Sequence, residues 1–152
     1  MSRALISVAM IGALLVSGCN RAKTKLDLEV DRLCAIDGGV KIYEVVTLPA
    51  ESFGPNGEVF PQYQHLTSKG GELGPDYKSD LKSTEIVSGD PNLTRWHKRV
   101  YRRADSKVVG EYISYTRGGG DFYGPWPRSE YSCVFANTKP LTQQVFRKGA
   151  EK

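Results

Sequence analysis

Residues 93–116 carry the pattern that most restricts the fold. Two arms rich in β-branched and aromatic side chains, Leu93–Arg103 and Val108–Thr116, flank the polar turn Ala104-Asp105-Ser106-Lys107. Such arms favour a pleated, half-buried surface, and a short polar break between them predicts a β-hairpin. With Asp105-Ser106 as a two-residue turn, Trp96 faces Tyr115, Lys98 faces Ile113, Val100 faces Glu111 and Arg102 faces Val109. That face holds the apolar anchors and is expected to meet the core. The other pairs His97 with Ser114, Arg99 with Tyr112 and Tyr101 with Gly110. A slip of one residue would exchange these sets, so the turn decides which side chains share a face.

The remaining segments point to an α+β fold: an N-terminal helix packed on a small antiparallel sheet of four or five strands. Thr24 and Asp27 resemble a capping box. Leu26, Val30 and Leu33 then recur at helical spacing, Leu28 lies off the stripe, and Asp37-Gly38-Gly39 is a stop signal. A helix over about 25–36 follows. Val40, Ile42, Val46 and Leu48 alternate as in a strand, interrupted by Glu44 and ended by Pro49. Residues 49–76 are turn-rich, with a short strand expected at Glu58–Gln64. Tyr77–Val87 reads as another strand, Tyr131–Phe135 as a last short one, and 138–152 as a peripheral C-terminal tail. One domain, 25–137, is the expected unit.

The arm Arg95–Arg103 packs five Lys or Arg residues and no carboxylate into nine positions. Arg95, His97, Arg99 and Arg103 fall on one side with Tyr101. Arginine offers a planar fork of donors suited to carboxylate or phosphate. The stripe is therefore either an anion-binding surface or a solvated outer face. The loop Gly118–Arg128 carries Tyr123, Trp126 and Arg128 among glycines and prolines, a composition that clasps a partner or packs the loop down. Tyr123 stands where a dinucleotide fingerprint from Gly118 would need glycine, and the chain has no Gly-Lys-Ser/Thr phosphate loop and no G-x-S-x-G elbow. No residue is assigned as catalytic, and no metal or other cofactor is implied. A hydrolase would have to use His97 or His65 with Asp121, Asp90 or Asp76. The net charge of +4 suits anionic neighbours without selecting one.

The N-terminus says where such a domain would work. Arg3 precedes an uncharged run, Ala4–Val16, which is well short of the ~20 residues of a membrane-spanning helix. Basic, apolar and small residues in that order are the layout of an export signal. Val16-Ser17-Gly18-Cys19 resembles the lipobox of bacterial lipoproteins. The resemblance implies cleavage before Cys19, a diacylglycerol on its sulfur and a fatty acyl chain, palmitate or similar, on its amino group. Residues 1–18 would then be a signal peptide and 19–24 a lipidated linker. In such lipoproteins, aspartate after the lipidated cysteine favours inner-membrane retention. Asn20 therefore implies lipid anchoring at the periplasmic face of the outer membrane.

Assigning Cys19 to lipid leaves Cys34 and Cys133 for a disulfide in an oxidising compartment. The competing reading, a catalytic thiol, would need an activating base beside it. The expected function is a membrane-anchored binding or interaction module of the cell envelope, with an envelope protein, a cell-wall component or another anionic group as partner. Nucleic acid is not expected as the anion. A cell-wall or lipid hydrolase and a structural spacer or assembly factor are the alternatives.

Overall fold

The computed structural model describes residues 21–59, 70–121, 124–136 and 139–149. Helix α1 spans 21–37. Val30 on its inner face is fully buried, whereas off-stripe Leu28 is exposed. The helix stops where the Gly38 N–H donates to the Cys34 carbonyl at 3.0 Å. Gly39 then turns the chain at φ 108°, a conformation that glycine adopts at little cost.

A six-stranded antiparallel sheet runs β1-β6-β5-β4-β3, and β7 also pairs with β6. Its strands are β1 (Gly39–Ile42), β3 (Gly70–Leu73), β4 (Tyr77–Val87), β5 (Asn92–Arg102), β6 (Val108–Gly118) and β7 (Glu130–Ser132). A second, two-stranded parallel sheet pairs β2 (Val46–Leu48) with β8 (Phe146–Lys148). The helix-on-sheet arrangement is as expected, with more strands. The strand expected over Val40–Leu48 is two strands in two sheets. Between them the Tyr43 and Glu44 N–H groups both donate to the Val109 carbonyl. The inward alternation nevertheless persists, since Val40, Ile42, Val46 and Leu48 all pack on one cluster. Of the expected strand at Glu58–Gln64, Val59 forms a single bridge to Phe53, and residues 60–64 lie outside the described residues.

The hairpin register differs from expectation by one residue. Arg95 faces Tyr115, Trp96 faces Ser114, His97 faces Ile113, Lys98 faces Tyr112 and Arg99 faces Glu111. The turn is the cause. Arg102 N–H donates to the Lys107 carbonyl at 2.9 Å, and Ser106 takes a left-handed φ of 56°. Four residues, Arg103–Ser106, therefore close the hairpin instead of two. Beyond the turn Val109 is an extra residue, a β-bulge between the Val100–Gly110 and Tyr101–Val108 pairs. From Gly110 onward every β6 side chain is thereby moved to the other face relative to β5.

The outcome is a sheet covered on both faces. On one face α1 packs Val30 against Leu93, Ile113 and Tyr115. The Cys34–Cys133 disulfide, with Cα atoms 5.7 Å apart, joins the helix to the segment after β7. On the other face Val100 and Val109 meet Leu141, Val145 and Phe146. The latter belong to helix α2 (Leu141–Val145) and strand β8, where a peripheral tail was expected. Phe146 is 2 % exposed and stands edge-on to Tyr77. A residue this buried contributes a few kcal/mol, so 141–148 is integral to the core. Gly110 lets α2 approach, because a Cβ there would come within 2.6 Å of Val145 Cγ2.

Candidate functional site

The basic stripe exists as a face, and each of its basic side chains already has a carboxylate partner. Arg95 donates to Asp37 at the end of α1 at 3.3 Å. His97 Nε2 lies 2.8 Å from Glu111 Oε2. Arg99 holds Asp80 of β4 in a fork at 3.2 and 2.7 Å, and Arg103 pairs with Glu72 of β3. Tyrosines complete the units. Tyr115 donates to Asp37 at 2.7 Å, Tyr101 donates to Asp80 at 2.9 Å, and Tyr43 donates to Glu111. Lys78 and the Arg99 guanidinium also lie over the Tyr101 ring.

Burial alone would raise the pKa values of these carboxyls, yet all three stand below their ordinary range. Hydrogen bonds outweigh desolvation: from Tyr115 and Arg95 at Asp37, from Arg99 and Tyr101 at Asp80, and from Tyr43 and His97 at Glu111. The stripe is thus a row of internally neutralised polar pairs across β1, β6, β5, β4 and β3. It braces the sheet and has little charge to spare for an outside anion. Tyr112 does not join it. The register places Tyr112 on the opposite face, edge-on to Phe135 at 5.8 Å.

The loop after β6 is strapped down. Buried Arg117 donates from Nε to Asp27 of α1 at 2.8 Å and from NH1 to the Gly119 carbonyl, the Ser129 carbonyl and Ser129 Oγ. Asp121 accepts from Lys23 at 2.7 Å and from Ser129. The Lys23 hydrogen bond, followed by those of Ser129, holds its carboxyl far below the usual range. Asp90 accepts from Gly120 N–H at 2.6 Å and from Arg128 at 2.8 Å. Gly119 and Gly120 have φ of 77° and 79°, and a Cβ on Gly119 would come within 2.1 Å of Asp90 Oδ1. The glycines are what let Asp90 reach the backbone. On this platform Trp126 is 56 % exposed. Trp96, Thr94, Thr116, Glu130 and Arg128 line a cavity of about 250 Å³ that also takes in Gly118 and Gly119 at the start of the loop. Tyr123 and His65 lie outside the described residues, as does Cys19.

The carboxylates considered for His97 sit elsewhere in the fold: Asp121 and Asp90 hold the strapped loop, and Asp76 lies in the turn between β3 and β4, where its backbone carbonyl accepts from Arg103 N–H. The partners Asp37, Asp80 and Glu72 escaped the sequence reading, because each belongs to another element: helix packing brings Asp37 to Arg95, and strand pairing brings Asp80 and Glu72 to the arm. The signal for Asp80 was its alternation with Lys78 and Lys82 along β4. Among the described residues no three His, Cys, Asp or Glu side chains group as metal ligands, and no helix is long and apolar enough to cross a membrane. No family model, curated protein or solved structure matches the chain.

Proposed function

We propose that the chain is an outer-membrane lipoprotein, anchored through acylated Cys19 at the periplasmic face, whose domain is a binding module for another envelope protein. One observation carries the choice of surface: Trp126 stands in water on a loop fixed from below by Arg117, Asp121 and Asp90. Trp126 and Arg128, two positions apart on this loop, are both residue types enriched at interface hot spots. A loop already held in place loses little further freedom on binding. The paired Arg95, Arg99 and Arg103 of the hairpin arm point away from the alternative, a broad electrostatic surface. The lipobox at Val16–Cys19 and the Cys34–Cys133 bridge support export to an oxidising compartment.

Crosslinking in intact cells followed by recovery from detergent-solubilised membranes tests the surface. Trp126→Ala plus Arg128→Ala should abolish a specific crosslinked partner that Arg99→Ala leaves intact. An unchanged partner profile in the double variant would reject this surface. A hydrolase reading rests on the His97–Glu111 contact, in which the carboxylate could orient the imidazole as a general base. On that reading His97→Ala would remove cell-wall or lipid turnover while leaving the Trp126-dependent partner unchanged.

A further inference from the structure

Among the described residues, Lys98 is the cation of the hairpin that has no counter-charge. It sits mid-strand in β5, opposite Tyr112 of β6 and Leu81 of β4, on the face away from the ion-paired stripe. Among the described residues it makes no hydrogen bond, ion pair or ring contact. It is half-buried, and desolvation with no opposing anion pushes its ammonium below the usual lysine range. Leaving a cation partly out of water and unpaired costs stability, which a bound anion would recover.

The space around it fits a small ligand. A cavity of about 400 Å³ is walled by Val40, Tyr112, Phe135, Pro140 and Leu141, with Lys98 and Lys139 in its lining. That volume falls within the range typical of small-molecule sites, which pair an apolar wall with a few polar groups. A neighbouring cavity of about 280 Å³ shares Lys98 and Pro140 with it and includes Glu58. The Glu58 carboxylate is drawn into its own turn, accepting from Asn56 N–H at 2.9 Å and from Asn56 Nδ2 at 3.2 Å. An anion is therefore repelled on the Glu58 side and drawn to the larger, apolar side.

We propose that this cavity binds a monocarboxylate with an apolar body, its carboxylate on the Lys98 ammonium and its hydrocarbon against Val40, Tyr112, Phe135 and Leu141. Lys139, also in the lining, already has a partner of its own, which leaves Lys98 as the ammonium to be matched. One compact ammonium matches one carboxylate, whereas a phosphate dianion calls for more donors than Lys98 offers. The inference is independent of the partner surface at Trp126.

The full chain in nanodiscs of zwitterionic phospholipid, titrated calorimetrically against an empty-disc control, tests it. Octanoate should bind saturably, and octan-1-ol, with the same tail and no charge, about tenfold or more weakly. Lys98→Met and Lys98→Gln should erase that difference, while Arg95→Gln on the opposite face preserves it. Removing an unpaired half-buried charge should leave the thermal midpoint unchanged or raised, so lost binding in these variants would not reflect unfolding. Inorganic phosphate should not compete with octanoate. Absence of saturable octanoate binding, equal binding of the alcohol, competition by phosphate, or full octanoate affinity in folded Lys98→Met would each overturn the assignment. The octanoate-to-octanol comparison on the native chain decides it even where both Lys98 variants misfold.

Discussion

Arg117→Met is the substitution whose cost can be worked most directly from the geometry. The Arg117 side chain is 3 % exposed and its partner Asp27 is 26 % exposed. It makes four contacts between 2.8 and 3.0 Å: one to the carboxylate on α1, two to backbone carbonyls and one to a hydroxyl. Methionine keeps much of the apolar stem and removes every donor. Stranding one member of a buried pair typically costs about 3–5 kcal/mol. Asp27 can regain some water at its exposed edge, which places the expected loss near 3 kcal/mol. For a domain of this size that is a fall of about 10 °C in thermal midpoint. Urea denaturation of the single variants Arg117→Met and Asp27→Asn and of the double variant gives the coupling. The double variant should be less destabilised than the sum of the singles by about 1 kcal/mol or more. A single variant within about 0.5 kcal/mol of the native chain, or strictly additive costs, would show that Arg117 does not strap the loop to α1.

Two further outcomes follow from the covalent and ionic bracing. Replacing Cys34 and Cys133 together by serine opens a loop of 99 residues. Chain entropy predicts a loss of about 3–5 kcal/mol, read as a lower urea midpoint that reductant reproduces in the native chain; an unchanged midpoint would show that the bridge does not stabilise the domain. Asp37, Asp80 and Glu111 all have folded-state pKa values below their unfolded ones. Their contribution is therefore complete above the ordinary carboxylate range and is lost as pH falls below about 4. The urea midpoint should drop on acidification, and less steeply in Asp37→Asn or Glu111→Gln. A flat acid profile in the native chain would rule out the ion-paired stripe as a brace.

The elements that the sequence revealed are those governed by local rules. The α1 stripe of Leu26, Val30 and Leu33, its glycine stop and the long arms of β5 and β6 depend on periodicity and on glycine geometry. Strand pairing is not local in this sense. The Arg103–Ser106 turn and the Val109 bulge together moved β6 by one position. That took Glu111 to the side of His97 and Arg99, and Tyr112 to the side of Lys98. Carboxylates that neutralise the stripe arrive from α1, β3 and β4, so the charge pattern of β5 alone overstated its capacity for an anion. Leu141, Val145 and Phe146 are too few and too close to the chain end to announce a core element by period. They are buried because Gly110 leaves room for them. The signal for Lys98 was present, a lysine between the apolar Trp96 and Val100 on one face of the arm, and only the cavity gives it meaning.

Mass spectrometry of the N-terminal peptide, from protein extracted out of its native membranes, tests the anchored-module account at its root. The account predicts a chain that begins at Cys19 and carries acyl mass on that residue. A chain still beginning at Met1, or a Cys19 with a free thiol and unmodified amino group, would contradict it.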